Sequence, residues 1–289
     1  MTALVLCGGG SRGAVEVGLY RALVDLRVPI DLVVGTSVGA INGAAVAARI
    51  PPDDLAKLWR GLTRPDVFVL NRQLVWKLLW ADSLYDHRPL RRFLERALPV
   101  RTFEELAIPL IVTGTDVATG RPVYWREGDL LDAIMASVAV PGLFPPQLIG
   151  GAQMVDGGIS DNVPIDVAVA EGATTVVLML CACCERVSRP VRGLVPILRR
   201  ALAIAIDRKY HAEIQHYAGR ADVIVLEPPI DLAIDPLDFT HTDELIERGY
   251  ASAMAALKDR IDVGRARRRR WAIAWRAKGR TLWRSLIPG

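Results

Sequence analysis

Histidine and cysteine are both scarce in this chain, with four of each among 289 residues, and neither is arranged for the work those side chains usually do. None of His87, His211, His216 and His241 stands in a glycine turn at the end of a strand, where a base facing the edge of a sheet would sit. The cysteines are Cys7, Cys181, Cys183 and Cys184, and three of them close one apolar run, a poor framework for disulfides in a chain of this size. Cys181 and Cys184 form a C-x-x-C, but no second Cys or His cluster follows at ligand spacing. Small buried thiols are expected rather than a metal or redox site. No stretch reaches the ~18 consecutive apolar residues of a membrane span, and Thr2–Cys7 lacks the basic start of an export signal. A cytoplasmic protein in a reducing compartment follows, with any membrane contact peripheral, at the inner face.

Charge is nearly balanced, at 36 Lys and Arg against 32 Asp and Glu, but the excess is unevenly placed. Arg265, Arg267, Arg268, Arg269, Arg270, Arg276, Lys278, Arg280 and Arg284 crowd the end of the chain. There, Trp271, Ala274, Trp275 and Lys278 fall at helical i, i+3, i+4 and i+7 spacing. An amphipathic basic tail over 264–289 is expected, with an anionic membrane surface as its partner ahead of nucleic acid. The remaining residues, 1–263, suit one large α/β domain: 51% hydrophobic residues bury a sizeable core.

Short apolar runs at Ala3–Cys7, Asp31–Val34, Pro109–Thr113, Val123–Trp125, Thr175–Leu180 and Asp222–Leu226 predict strands. Between them, Ala14–Leu26, Ala40–Arg49, Leu90–Ala97, Leu130–Ser137, Ile165–Ala170 and Ile197–His216 read as helices. That alternation predicts a mostly parallel sheet covered on both faces. Asp66–His87 breaks the rhythm with Trp76, Leu78, Leu79 and Trp80, and reads either as a cap over an active-site mouth or as an insertion packed on the core.

Two glycine loops carry the chemical information. Gly8-Gly9-Gly10-Ser11-Arg12-Gly13 joins the first strand to the first helix, so its N–H groups and the helix N-terminus would converge on an anion or oxyanion. By itself it also fits a dinucleotide fingerprint. That fingerprint wants an acid at the far end of the second strand, whereas Asp31 opens that strand and Gly35-Thr36-Ser37-Val38-Gly39 ends it. G-x-S-x-G between strand and helix is a nucleophile elbow, with the Val38 N–H as one oxyanion donor. For the base, Asp156 in Asp156-Gly157-Gly158 occupies a glycine turn that permits close approach to another loop, although Asp-Gly is also a common hairpin turn.

Gly8–Gly13, Gly35–Gly39, Asp156–Gly158 and the stretch Ser137–Pro146 together resemble the patatin-like phospholipase family, over residues 3–170, with Asp238–Tyr250 a weaker echo. The resemblance implies a patatin-like three-layer α/β/α fold and hydrolysis of lipid or phospholipid acyl esters by a serine–aspartate dyad without histidine. It implies Ser37 as nucleophile, Asp156 as proton acceptor, and the amides of Gly8, Gly9, Gly10 and Ser11 as the oxyanion hole. Arg12 stands where the family often has a basic residue, and it either contacts phosphate or faces solvent. No metal or organic cofactor is expected. An acyltransferase or thioesterase with the same dyad, a nucleotide-binding protein and a non-catalytic membrane adaptor are the competing readings.

Overall fold

The computed structural model describes residues 1–72, 81–181, 190–217, 219–230, 234–258 and 260. In chain order its strands are β1 (Thr2–Leu6), β2 (Leu32–Thr36), β3 (Val69–Leu70), β4 (Tyr85–Asp86), β5 (Leu110–Asp116), β6 (Pro122–Trp125), β7 (Gln147–Ile149), β8 (Ala152–Asp156), β9 (Thr175–Met179) and β10 (Asp222–Leu226). The main sheet runs β10-β9-β1-β2-β5-β8-β7. From β10 to β5 every pairing is parallel. β1, β2 and β9 are runs of mostly Val, Leu and Thr, with Ala3, Gly35 and Met179, buried on both sides, as parallel strands with two covered faces require.

Two helices introduce the site: α1 (Ala14–Asp25), which follows β1, and α2 (Val38–Ala47), which follows β2. They pack on each other, and α2 also packs on the Leu130–Ser137 helix, along one face of the sheet. The last two strands are added in the opposite direction, so a right-handed crossover between the parallel pair β9 and β10 puts the Leu194–Tyr217 helix on the other face, where the Ile165–Ala170 helix packs against it. The expected layered fold is therefore present, with most strand and helix boundaries displaced by only one to three residues. A further helix, 242–258, crosses α1 so closely that a Cβ on Gly18 would lie 2.1 Å from the Ile246 carbonyl oxygen.

The far edge of the sheet departs from a purely parallel plan. β8 runs antiparallel to β5, β7 antiparallel to β8, and β6 also pairs antiparallel with β5. The β7–β8 hairpin turns at Gly150-Gly151, both with positive φ, so the hairpin signal lies there and not at Asp156-Gly157. Of the Asp66–His87 insertion, the described ends are anchored to the body. Phe68 stacks on Phe144 and Phe239 at centroid distances of 5.5 and 6.2 Å, and the Tyr85 N–H donates to the Leu143 carbonyl. Trp76, Leu78, Leu79 and Trp80 lie outside the described residues, as do Cys183, Cys184 and the basic tail.

One buried acid ties three helices to the sheet. Glu16 of α1 accepts from Asn42 Nδ2 of α2 at 2.8 Å and from the Cys181 thiol at 3.2 Å. Asn42 in turn accepts from Trp59 Nε1, on the Pro52–Gly61 helix, at 2.8 Å. Burial outweighs these donors and pushes the Glu16 carboxyl up to about 8, from an ordinary 4.5. Because the folded value exceeds the unfolded one, the fold favours the protonated acid. Its contribution is complete below about pH 4.5 and is lost as pH rises towards 8. Stability is expected to fall by up to about 1.4 kcal/mol per pH unit in that window. Chemical unfolding between pH 6 and 8 should show this slope in the wild type and a flat profile in Glu16→Gln; an equal slope in both would contradict it.

Candidate active site

β1 and β2 run side by side with Leu6 opposite Gly35, and continuing that register brings Gly8 beside Ser37. The approach is tight: a Cβ on Gly8 would sit 3.0 Å from Ser37 Cβ and 2.7 Å from Asn162 Oδ1. Ser37 itself has φ 55° and ψ −125°, a left-handed backbone that is sterically costly for any residue with a side chain. The flanking glycines make the turn possible. A Cβ on Gly35 would lie 2.5 Å from the Gly39 carbonyl oxygen, and one on Gly39 would lie 2.2 Å from that of Leu6. The Ser37 N–H donates to Ser137 Oγ at 2.8 Å, which fixes the turn from the end of the Leu130–Ser137 helix.

Of the N–H groups expected to form an oxyanion hole, two are engaged elsewhere. Gly8 donates to Asn162 Oδ1 at 2.9 Å, and Ser11 to the Pro236 carbonyl at 2.7 Å. Gly9, Gly10 and Val38 keep N–H groups without a partner among the described residues, Val38 as the first residue of α2. They stand beside the point where strand order reverses, between β1 and β9, where open α/β sheets form a crevice for ligands. Asp31, at the opposite end of β2, accepts from the Thr2 N–H at 2.7 Å and so stands at the wrong edge to hold a ribose.

The acid arrives from the other side of β5. Thr113 pairs with Thr36, and Gly114 with Asp156, so Ser37 and Asp156 leave strands that flank β5 at the same level. A Cβ on Gly157 would lie 2.3 Å from the Thr113 carbonyl oxygen, so glycine here answers to close approach and not to a hairpin. Asp156 Oδ1 accepts from the Gly158 N–H at 2.7 Å. Oδ2 is buried and completes no hydrogen bond among the described residues. The Ser37 hydroxyl lies close enough to help stabilise the charged carboxylate, yet burial dominates and raises Asp156 to about 6. Neither Ser37 nor Asp156 is hydrogen-bonded to a histidine among the described residues.

Several supporting residues escape a motif reading. Ser137 opens the Ser137–Pro146 stretch, but nothing in its spacing announces that it holds the Ser37 amide. Asn162 is brought to Gly8 only by the turn after Asp156. On the same turn Asp161 is buried and accepts from Tyr124 Oη at 2.7 Å, with Lys209 Nζ 3.4 Å from its other oxygen. Burial raises the Asp161 carboxyl, and Lys209 opposes that shift.

Cys7, Cys181 and Glu16 gather behind the glycine loop with their ligand atoms within 4.8 Å of one another. Burial raises both the Glu16 carboxyl and the Cys181 thiol, and the three groups hydrogen-bond to one another or to nearby backbone. With Glu16 and Cys181 both held towards their protonated forms, the group packs as a hydrogen-bonded cluster whose members are poor metal ligands.

Arg12 is half-buried and engaged by the backbone. Its Nε and Nη2 donate to the Ile234 carbonyl at 3.1 and 2.7 Å, and Ser11 Oγ donates to the Asp235 carbonyl at 3.1 Å. With the Ser11 N–H, these bonds strap 234–236 across the glycine loop. A charged donor bonded to a half-buried carbonyl contributes about 1.5–3 kcal/mol. Arg12→Ala is therefore expected to lower the unfolding free energy by that amount, and Arg12→Lys to recover only part of it. An unchanged melting curve for Arg12→Ala would contradict the strap.

A model of the patatin-like phospholipase family matches residues 4–169, which include both glycine loops and the Asp156 turn. Patatin-like phospholipase domain-containing protein 7 of Mus musculus is 32% identical over 181 residues, covering 61% of this chain and 13% of the relative. An uncharacterised NTE family protein of Mycobacterium tuberculosis is 28% identical over 289 residues, covering 91% of this chain and 47% of the relative. The chain thus spans less than half the length of these relatives. Among solved structures, VipD from Legionella pneumophila shares the fold at TM-score 0.53 and 15% identity, over 89% of this chain and 67% of that one. The chain belongs to the patatin-like phospholipase family.

Proposed function

We propose that the protein hydrolyses acyl esters of lipids, with phospholipids or lysophospholipids as the substrate class, through a dyad of Ser37 and Asp156. One observation carries this reading: a serine held in a left-handed turn stands beside a glycine loop on one side and near a buried carboxylate on the other, and both the loop and the carboxylate keep hydrogen-bonding groups without a hydrogen-bond partner among the described residues. The substrate class comes from the family and from relatives named as phospholipases.

In the first half-reaction Ser37 Oγ attacks the acyl carbonyl carbon while Asp156 Oδ2 takes the hydroxyl proton. The N–H groups of Gly9, Gly10 and Val38 stabilise the oxyanion, and the proton then passes to the departing alcohol as the ester bond breaks. Water repeats the sequence on the acyl-serine, releasing the fatty acid. Burial makes Asp156 a stronger base than a solvated aspartate, and the arrangement of reacting groups supplies the rest. The basic tail over 264–289, with Trp271 and Trp275 on one helical side, would bring this site to an anionic membrane.

The base must be ionised to act. With Asp156 at about 6 in the free protein, kcat/KM for a soluble ester is expected to rise tenfold per pH unit below about 6 and to level off above it. Asp156→Asn should lose 10²–10⁴-fold or more and keep its fold, by about the usual worth of a general base. Separate substitutions of His87, His211, His216 and His241 should cost at most a few-fold. A folded histidine variant as inactive as Asp156→Asn would contradict the dyad.

A further inference from the structure

The Leu194–Tyr217 helix carries an apolar side that nothing in the described structure covers. Ile197, Leu198 and Ile204 are 49%, 59% and 44% exposed, and Ala201 and Ala205 between them are exposed as well. At 3.6 residues per turn, 197, 201, 204 and 208 fall on one stripe, with 198 and 205 beside it. A water-soluble helix would place polar side chains there. Over 194–206 the sequence holds no acid at all, and its only charges are Arg199 and Arg200. Exposed Arg192 precedes this stretch, and exposed Arg208 continues the stripe beyond it.

We propose that this side of the helix docks the protein on an anionic lipid surface. An apolar stripe with exposed Arg192 before it and exposed Arg208 at its far end, beside a single acid at Asp207, matches the layered chemistry of a bilayer interface, where side chains reach the acyl boundary and guanidinium groups remain among the phosphates. A protein partner of the same chain would instead need acids opposite those arginines. The position of the helix gives docking a consequence. Lys209 Nζ stands 3.4 Å from Asp161 Oδ1 and donates to the Ser160 carbonyl, which pins the middle of the helix to the turn that follows Asp156. Ile159, on that same turn, is itself 37% exposed. The helix that presents Ile197, Leu198 and Ile204 is thus fastened to the turn that follows the proposed base, so docking would hold that part of the molecule against the lipid. This consequence rests on the lipid-hydrolase reading above, while the docking itself does not require turnover.

The test uses the full-length chain carrying Ser37→Ala, so that vesicles are not consumed. Co-sedimentation is measured with vesicles of phosphatidylcholine containing phosphatidylglycerol as the minor lipid. Adding Ile197→Gln, Leu198→Gln and Ile204→Gln together is expected to weaken binding roughly tenfold or more, with the tail still present. A second variant, Arg208→Glu, keeps the apolar side chains and is expected to weaken binding at low salt, guarding against a folding defect in the triple variant. Unchanged binding by both folded variants would overturn the proposal, and so would a wild-type dimer that the triple variant dissolves without loss of vesicle affinity. With Ser37 restored, the triple variant should hydrolyse phosphatidylglycerol-containing vesicles at least tenfold more slowly than wild type while matching it on a soluble short-chain ester. Equal loss on both substrates would overturn the surface role. Failure of the wild type to cleave any ester would instead refute the lipid-hydrolase reading, with vesicle binding still deciding the docking surface.

Discussion

Ser37 holds a backbone conformation that costs on the order of 1–3 kcal/mol, and the surrounding structure is arranged so that no cheaper one is open to it. Gly35 and Gly39 let α2 fold back almost onto the β1 backbone where β2 ends, and Ser137 receives the serine amide at 2.8 Å. Once the elbow is fixed, Gly8 falls beside it by register, and the glycine loop inherits its place. The 234–236 strap then commits the Ser11 N–H and the Arg12 guanidinium to holding that loop, which leaves Gly9, Gly10 and Val38 with N–H groups that have no partner among the described residues.

The acid side obeys a different constraint. Asp156 reaches the site on an antiparallel strand, and its depth sets its chemistry. Raising it from 3.8 to about 6 corresponds to roughly 3 kcal/mol of lost preference for the charged form, as an order of magnitude. The same burial that strengthens the base also leaves it protonated in mildly acidic surroundings. Asp161, a few residues on, meets a similar environment but is paired with Tyr124 and Lys209. The two carboxylates share one turn and divide its roles: one keeps an open oxygen and the other ties the turn to the Leu194–Tyr217 helix.

Much of this was legible in the chain because local rules and tertiary demands agree. β1, β2 and β9 are short apolar runs set between helix-like stretches, so their length and composition identify them, and the elbow signature needs only its strand-to-helix setting. Legibility fails where a residue's meaning depends on a partner far away in sequence. The β7–β8 hairpin hides because Gly150-Gly151 looks like any loop and β7 is three residues long. Arg12 presents as a solvent or phosphate contact until Ile234 is placed over it, and the N–H groups of Gly8 and Ser11 look free until Asn162 and Pro236 arrive. Helix 242–258 gives little sign of its role because its contact with α1 depends on Gly18 and Gly249, two small residues far apart in sequence.

The proposed chemistry depends on Asp156 being the group that activates Ser37. Intact mass followed by peptide mapping after brief exposure to a fluorophosphonate measures that directly, since the reagent reports the reactivity of the serine without the choice of a lipid. A single adduct on Ser37 is expected, forming faster as pH rises through about 6, slowed at least a hundredfold in Asp156→Asn and unaffected by loss of any histidine. An adduct that persists in Ser37→Ala, or a Ser37 whose labelling is indifferent to Asp156, would contradict it.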